Sequence, residues 1–561
     1  MKPKQRLTSL LIAAAMSAPA VSHAFTIGGD NGVALHGSVQ ADVLFPQEDE
    51  TINTGKYDKD ILFNTYADLN MISRYVDAGV RLEFMKWPLP GYEPDFAGWG
   101  VPNIYVKGRY KGFELTAGDF YEQFGSGFIL RTYQERALGI DNSIRGGRLK
   151  INALRGFNFT LLGGLQRRYW DWKKQSQVYG GDMEINFSEL SKSLSDRGIG
   201  WTFGASYVLK HENDEDKAIS GTDYRLNLPK SVGAFDLRTN FRKGNFGVLG
   251  EFAWKGQDPS EDNGYTYGKG TAVMLSGSYS RSGMSVLLQA KRSENMAFRS
   301  QRSMSGTSAF LNNMPAFAYQ HTYSLPALYP YATQAAPGEW AFQGSFAYTF
   351  KRKTPLGGKY GTKVKINASY IRGLDRKAPA PLLGNTIMGT DGYSSSFFKM
   401  GGEYYHDFNI QIEKKLSRSY NLSFMYMNQM ANNDVLKISE VDNTHKIRTN
   451  IFVLDGKWSI DRRYTLRTEL QYLTTRQDQK DWVYGLVELS VAPYLMFTLS
   501  DMWNCGDTGT HYYMGGITGN YRSNRLMLSY GRTREGFNCS GGVCRKVPST
   551  HGFQIAYTYN F

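Results

Sequence analysis

From residue 33 onward the chain repeats one pattern: about a dozen residues alternating apolar and polar, a turn, then another such run. In a β-strand alternate residues share a face, and here one face is consistently aromatic or aliphatic. Across 338 to 351, Trp340, Phe342, Phe346, Tyr348 and Phe350 lie on one side, with Gln343, Ser345, Thr349 and Lys351 on the other. In the next run Val364, Ile366, Ala368 and Tyr370 face away from Lys363, Lys365, Asn367 and Ser369. A soluble sandwich also alternates, but with strands of about five or six residues and an inward face of small branched side chains. Strands of ten or more with rings of Tyr, Phe and Trp are what a bilayer-spanning barrel requires.

The punctuation makes the reading more specific. Turns of two kinds alternate, as they must when strands run up and down through a membrane. The short ones include RKGN (242 to 245), SRSG (280 to 283), SRSY (417 to 420), DRRY (461 to 464) and YRSN (521 to 524). Between them fall long connections at 87 to 99, 120 to 144, 212 to 229, 294 to 337, 375 to 396, 432 to 444 and 535 to 549. The expected fold is all-β: a large antiparallel up-and-down transmembrane β-barrel of about 22 to 24 strands, with short periplasmic turns and long extracellular loops.

Residues 1 to 24 read as a cleavable export signal. Lys2, Lys4 and Arg6 make a basic start, Leu7 to Ala18 is a short apolar stretch, and Ser22-His23-Ala24 supplies small residues where a signal peptidase cuts. The mature chain, 25 to 561, is then a single integral barrel of the outer membrane. At the other end, HGFQIAYTYNF places Phe553, Ile555, Tyr557, Tyr559 and Phe561 on one face. A strand of this form closing on an aromatic resembles the signal by which the barrel assembly machinery recognises its clients.

Composition narrows the remaining options. The chain has 561 residues, 60 Gly, 37 Tyr, 32 Phe and 10 Trp, and no apolar run long enough for a membrane helix. The formal net charge of +14 invites a nucleic-acid reading, but Arg or Lys in or beside nearly every short turn uses much of that surplus at the inner leaflet. Outer-membrane lipids and lipopolysaccharide are the expected surroundings, with no nucleic acid. The His residues left after signal removal are scattered, without the spacing of a zinc site or a Ser-His pair. The expectation is no enzyme and no cofactor, an outer-membrane hydrolase being the remote alternative. Glu212, Asp214, Glu215 and Asp216, with Glu261 and Asp262, offer a calcium site or merely solvated loops.

Three stretches carry a family resemblance. GDFYEQFGSGFILRTYQERALGIDNSIRGGRL (118 to 149), YSLPALYPYATQ (323 to 334) and GRTREGFNCSGGVCR (531 to 545) resemble the motifs of an uncharacterised family of Bacteroidota outer-membrane barrels. The resemblance implies a barrel and a Gram-negative host, and transfers no catalytic residue.

A barrel of this width left open would leak, since about 22 strands already enclose a lumen that proteins plug. Residues 25 to 32 are too few for a plug domain, so loops must fill it. Residues 120 to 144 combine Gly125, Gly127 and Gly139 with Glu122, Arg131, Glu135, Arg136, Asp141 and the adjacent Arg145, charges able to dock on wall residues such as Arg81, Glu83, Arg467 and Glu469. Residues 294 to 337 are aromatic and stiffened by Pro315, Pro326, Pro330 and Pro337. Three uses stay open. Trp87, Tyr92, Trp99, Phe317, Tyr329 and Tyr331 are candidates to bind surface or envelope proteins, making the barrel a platform. Inward-folded loops would instead narrow a porin-like channel for small polar solutes, or simply seal the mouth. Cys539 and Cys544 are expected to form a disulfide within one outer loop, Ser540, Gly541 and Gly542 letting the backbone curl. Cys505 is then the odd thiol, or the true partner of one of them.

Overall fold

A computed structural model describes residues 25–27, 32–170, 176–213, 215–219, 222–306, 308–332, 338–381, 386–540 and 543–561. The export signal at 1 to 24, Asp214 and Pro337 lie outside the described residues.

The strands form one antiparallel sheet that closes on itself as a 24-stranded barrel, from Val33–Pro46 to Thr550–Asn560. The closing pairs run from Ser38 against Asn560 to Pro46 against Gly552. A three-residue strand, Phe25–Ile27, pairs only with Val33 to Leu35 at the rim. The two kinds of turn segregate to opposite ends. Residues 73–75, 111–112, 244–245, 282–283 and 522–523 are tight reversals at one end, which also holds the short helices Phe187–Leu190 and Lys192–Asp196. The other end gathers the long loops 47–61, 86–97, 121–143, 212–230, 256–269, 295–337, 378–393, 433–445 and 534–549.

Alternation decides what each face meets. Leu82, Ile104, Val106, Leu115, Leu161, Leu275, Leu288, Leu470 and Leu499 point out of the barrel and are exposed, the apolar belt of a bilayer-spanning barrel. Exposed aromatics edge the belt at both ends: Trp99, Tyr207 and Trp503 towards the long loops, Tyr110, Phe246, Tyr464 and Tyr521 at the short turns. The principal buried core lies inside the barrel, where Phe124, Phe128, Ile129, Phe298, Leu311, Leu325 and Tyr329 pack on wall residues Val208, Ala253, Ala341, Tyr405 and Met427. No helix among the described residues is long and apolar enough to cross a membrane.

Candidate functional site

Two long loops, 121–143 and the described residues of 295–332, enter the lumen from the long-loop end and form one body there. Their local geometry follows from their glycines and prolines. Gly125, Gly127 and Gly139 take positive φ of 53°, 96° and 65°, conformations that cost other residues energy. A β-carbon on Gly125 would stand 2.5 Å from the Glu251 carboxylate of the wall, so the loop turns where only glycine fits. The next residue uses that closeness. Ser126 donates from its amide and its hydroxyl to the two oxygens of Glu251, at 2.9 and 2.5 Å.

Charged pairs fasten the first loop. Arg136 meets Asp68 at 2.6 Å and donates to Gln40 at 3.0 Å, with its guanidinium over the Tyr66 ring. Asp141 is gripped by Arg167 at 2.6 Å and Arg81 at 3.4 Å and accepts from the Tyr121 hydroxyl at 2.9 Å. Arg167 extends the chain to Glu83 at 3.0 Å, both side chains being 1% exposed. Glu122 holds Arg148 and Lys150 at 3.1 and 2.8 Å. Arg131 covers Tyr133, while its amide donates to the Leu311 carbonyl of the second loop. Glu135 caps the short turn Arg136–Leu138 by accepting from the Ala137 amide. Buried pairs contribute little net stability, but removing one partner strands a charge.

The second loop is held by neutral amides as well as by ion pairs of its own, Arg302 with Glu212 and Arg299 with Asp262. Gln429 donates to the Tyr329 carbonyl at 2.9 Å, Gln471 accepts from the Leu325 amide at 2.8 Å, and Gln166 donates to the Phe310 carbonyl at 2.6 Å. Asn312 joins the loops, donating to the carbonyls of Phe128 and Met296 at 2.8 and 2.7 Å and accepting from the Phe298 amide at 3.1 Å. Four tyrosine and lysine contacts complete the seat: Tyr329 with Asp478, Tyr331 with Glu339, Tyr323 with Asp455, and Lys291 under the Phe317 ring. Burial pushes the Tyr323 hydroxyl up to about 12, with Asp455 adding to it.

Several expectations are corrected. Phe317, Tyr329 and Tyr331 offer no exposed partner surface, being 2%, 1% and 4% exposed inside the barrel. Trp99 belongs to the strand Gly98–Tyr110 and faces outward on the belt opposite Phe84. Trp87 packs on Phe63 at the rim, and Tyr92 lies half-buried at the mouth, donating to the Arg136 carbonyl. Arg145 is no plug residue: its strand begins at Ile144, so parity turns Arg145 to the outer face, where it pairs with Asp119 at 2.8 Å. Arg467 pairs with both Glu469 and Asp455 rather than with residues 120 to 144. The acidic loop residues are held by arginines, Glu212 by Arg302, Asp216 by Arg225 and Asp262 by Arg299. Among the described residues no group of acidic, His or Cys side chains is arranged to hold a metal ion.

Cys539 and Cys544 form a disulfide across the hairpin Gly536–Ser540 and Val543–Val547, while Cys505 is free and exposed. The hairpin lies on the first plug loop: Val543 is buried against Leu138 and Ile140, and Asn538 and Arg545 both donate to the Ala137 carbonyl. Phe553, Ile555, Tyr557 and Tyr559 share the outer face of the closing strand, Phe553 beside Phe45 of the first.

A family model covers nearly the whole of this architecture, matching residues 4–561. The chain belongs to DUF6029, a family of unknown function. No curated protein matches the sequence. Among solved structures, this DUF6029 chain is similar to the siderophore receptor PirA from Pseudomonas aeruginosa, at 10% identity and a TM-score of 0.41, over 94% of this chain and 80% of that one. It is similar also to the outer membrane protein opdK from the same organism, at 12% identity and a TM-score of 0.35, over 70% of this chain and 93% of that one. The closed barrel itself rests on the strand pairing described above.

Proposed function

We propose that the protein works as a closed barrel of the outer membrane: an integral platform for surface or envelope proteins, its lumen sealed by its own loops. The observation that carries this reading is the body formed by residues 121–143 and the described residues of 295–332, which shares a hydrophobic core with the wall and is bolted to it by buried ion pairs and amides. A seal of that kind is costly to open, because every buried donor and charge released must find a new partner. Side chains outside the plug supply surface for partners, Phe398 at 83% exposure and Tyr224 at 65% foremost. The export signal, the apolar belt and the aromatic-rich closing strand fit insertion by the barrel assembly machinery among lipids and lipopolysaccharide, with the basic short turns towards the periplasm.

A porin-like channel for small polar solutes is the second reading. It is favoured by the space of about 440 Å³ beside Tyr323, whose lining includes Lys363, Gln411, Glu413, Asn421 and Asp455.

Planar-bilayer recordings of the purified chain and of a variant lacking Ser126 to Asn142 test the seal. The expected result is little or no conductance for the parent and large steps for the variant, whose folding is checked by faster unheated migration on denaturing gels. Open-channel conductance in the parent would replace the platform with the porin. For the platform, a photo-crosslinking residue at Phe398 on intact cells should yield a stoichiometric adduct; absence of any adduct counts against it.

A further inference from the structure

At the short-turn end, reversals between barrel strands take two to four residues, apart from the helical connection after Asn186 and one other. That other, residues 351 to 361, runs to eleven and folds through its own bonds. The Lys353 amide donates to the Gly358 carbonyl at 2.7 Å, Gly358 to Thr354 at 2.8 Å and Gly361 to Gly357 at 2.9 Å. Thr362 fixes where the turn lies. It shares the outward parity of Val364, Ile366 and Tyr370, and its hydroxyl donates to the Leu356 carbonyl at 2.8 Å. The turn is therefore drawn back over the outer face of the barrel, burying Thr362. Lys414 stands opposite Thr362 on the neighbouring strand, and a β-carbon on Gly358 would lie 3.8 Å from its ammonium.

The surface so placed is basic. From Trp340 to Leu374 the sequence has no acidic residue, while Lys351, Arg352, Lys353 and Lys359 stand exposed on the turn. Glu413, on the neighbouring strand, faces the lumen and is taken by Lys365. Among the described residues no carboxylate pairs with the four cations of the turn or with Lys414. Like charges gathered this closely repel one another, so a counter-charge from outside the chain stabilises them. Two leucines stand among them, Leu356 at 64% exposure and Leu416 of the next turn at 50%. Apolar side chains set among cations suit the boundary between headgroups and acyl chains, and basic clusters beside a membrane draw anionic lipid. Val364 and Ile412, the next outward pair after Thr362 and Lys414, begin the apolar belt here. A soluble acidic partner would use the charges but not this position at the foot of the belt.

We propose that this turn and Lys414 form a binding site for an anionic phospholipid of the inner leaflet, its phosphate among Lys353, Lys359 and Lys414 and its acyl chains along Leu356, Val364 and Ile412. The inference rests on the outer-membrane reading and goes beyond it, giving one turn a lipid that the other basic turns do not hold. It is the same whether the barrel is a platform or a channel.

Native mass spectrometry of the detergent-solubilised full chain, with equimolar phosphatidylglycerol and phosphatidylcholine of the same acyl chains, tests it. Phosphatidylglycerol adducts should predominate in the parent. Lys353→Gln with Lys414→Gln should lower that preference roughly fivefold or more, whereas Arg242→Gln with Lys243→Gln, which removes as many charges at another turn, should leave it unchanged. A photoactivatable phosphatidylglycerol on the parent should label peptides within 351 to 361 or 412 to 416, a readout that needs no variant to fold. Absence of preference in the parent, an equal loss in the Arg242 and Lys243 variant, an unchanged preference in the Lys353 and Lys414 variant, or labelling elsewhere would each overturn the site. So would a glutamate-rich peptide that binds the parent, displaces the lipid and is lost in the Lys353 and Lys414 variant, since the turn would then belong to a protein partner. A parent that migrates as a folded barrel on unheated gels yet shows no preference fails this inference alone; a parent without that migration fails the barrel reading beneath it.

Discussion

The ring of Phe561 fills the space that a side chain on residue 37 would need, so that a β-carbon built on Gly37 would overlap it. The two residues also exchange backbone hydrogen bonds, each N–H donating to the other's carbonyl at 2.9 Å. They sit where the first and last strands meet, and the missing side chain of one accommodates the large ring of the other.

Gly37→Leu should therefore damage the closing seam. Overpacking of this kind costs about 1 to 3 kcal/mol, and the urea midpoint of the folded barrel should fall accordingly, with a larger unfolded fraction on unheated gels. The double variant Gly37→Ala with Phe561→Leu should be less destabilised than the two single variants together, because the pair is in contact. Additivity of the two would show that ring and glycine do not share the space.

At the opposite end of the same seam, Asp49 accepts from Arg532 at 2.6 Å and from the Thr51 amide at 3.1 Å, with His551 at 3.1 Å. Burial raises the Asp49 pKa, but the bonds from Arg532 and Thr51 outweigh it and hold the carboxyl below its ordinary 3.8. A depressed carboxylate stabilises the loop fully above its unfolded value and loses that contribution as pH falls through the folded one. The protection of Thr51 to Thr54 against hydrogen exchange, relative to the intrinsic rate at each pH, should thus stay high at neutral pH and fall on acidification below about pH 4. Asp49→Asn should show lower protection at neutral pH and lose this acid dependence of protection; an unchanged profile would contradict the account.

Replacing Cys539 and Cys544 by serine should act locally. The ring they close is short, so loop-closure entropy ascribes only about 2 kcal/mol to it, and the hairpin keeps its contacts through Val543 and Asn538. The expected result is faster trypsin cleavage after Arg545 and Lys546 with the thermal unfolding of the barrel unchanged. A drop in barrel stability would mean that the hairpin clamps the plug itself.

What the sequence made legible follows from the bilayer. It forces an apolar side chain outward at every second strand position, so periodicity, turn alternation and strand count could be read along the chain. The lumen obeys no such rule. Trp99 reads as the end of a loop and Arg145 as adjoining one, because a shift of a single residue at a strand start reverses the face a side chain meets. Phe317, Tyr329 and Tyr331 look the same in sequence whether they meet a partner or a barrel wall. The amides that seat them, Gln166, Gln429 and Gln471, are single polar residues inside ordinary alternating strands and carry no local mark. The charged half of the plug was more visible, because glycines and opposite charges crowd residues 120 to 144, yet the wall partner of Ser126, Glu251, lies 125 residues away.

The amide most exposed to test is Asn312. It is 2% exposed and makes three hydrogen bonds to backbone groups of both plug loops. Asn312→Leu keeps the volume close but leaves two buried carbonyls and one amide without partners, each costing about 1 to 3 kcal/mol. Those losses fall on the contact between the loops, whereas the strand ladder is untouched, so the barrel should still assemble and migrate as a folded species. The plug should loosen: hydrogen exchange at Phe128 and Phe298 should quicken, and intermittent conductance should appear in planar bilayers. Asn312→Asp, which retains the acceptor but loses both donors and adds a buried charge, should loosen it at least as much. If both variants remain silent in bilayers while exchange quickens, the charged pairs of Arg136 and Asp141 suffice to hold the seal, and Asp68→Ala together with Arg167→Ala becomes the combination that should open it.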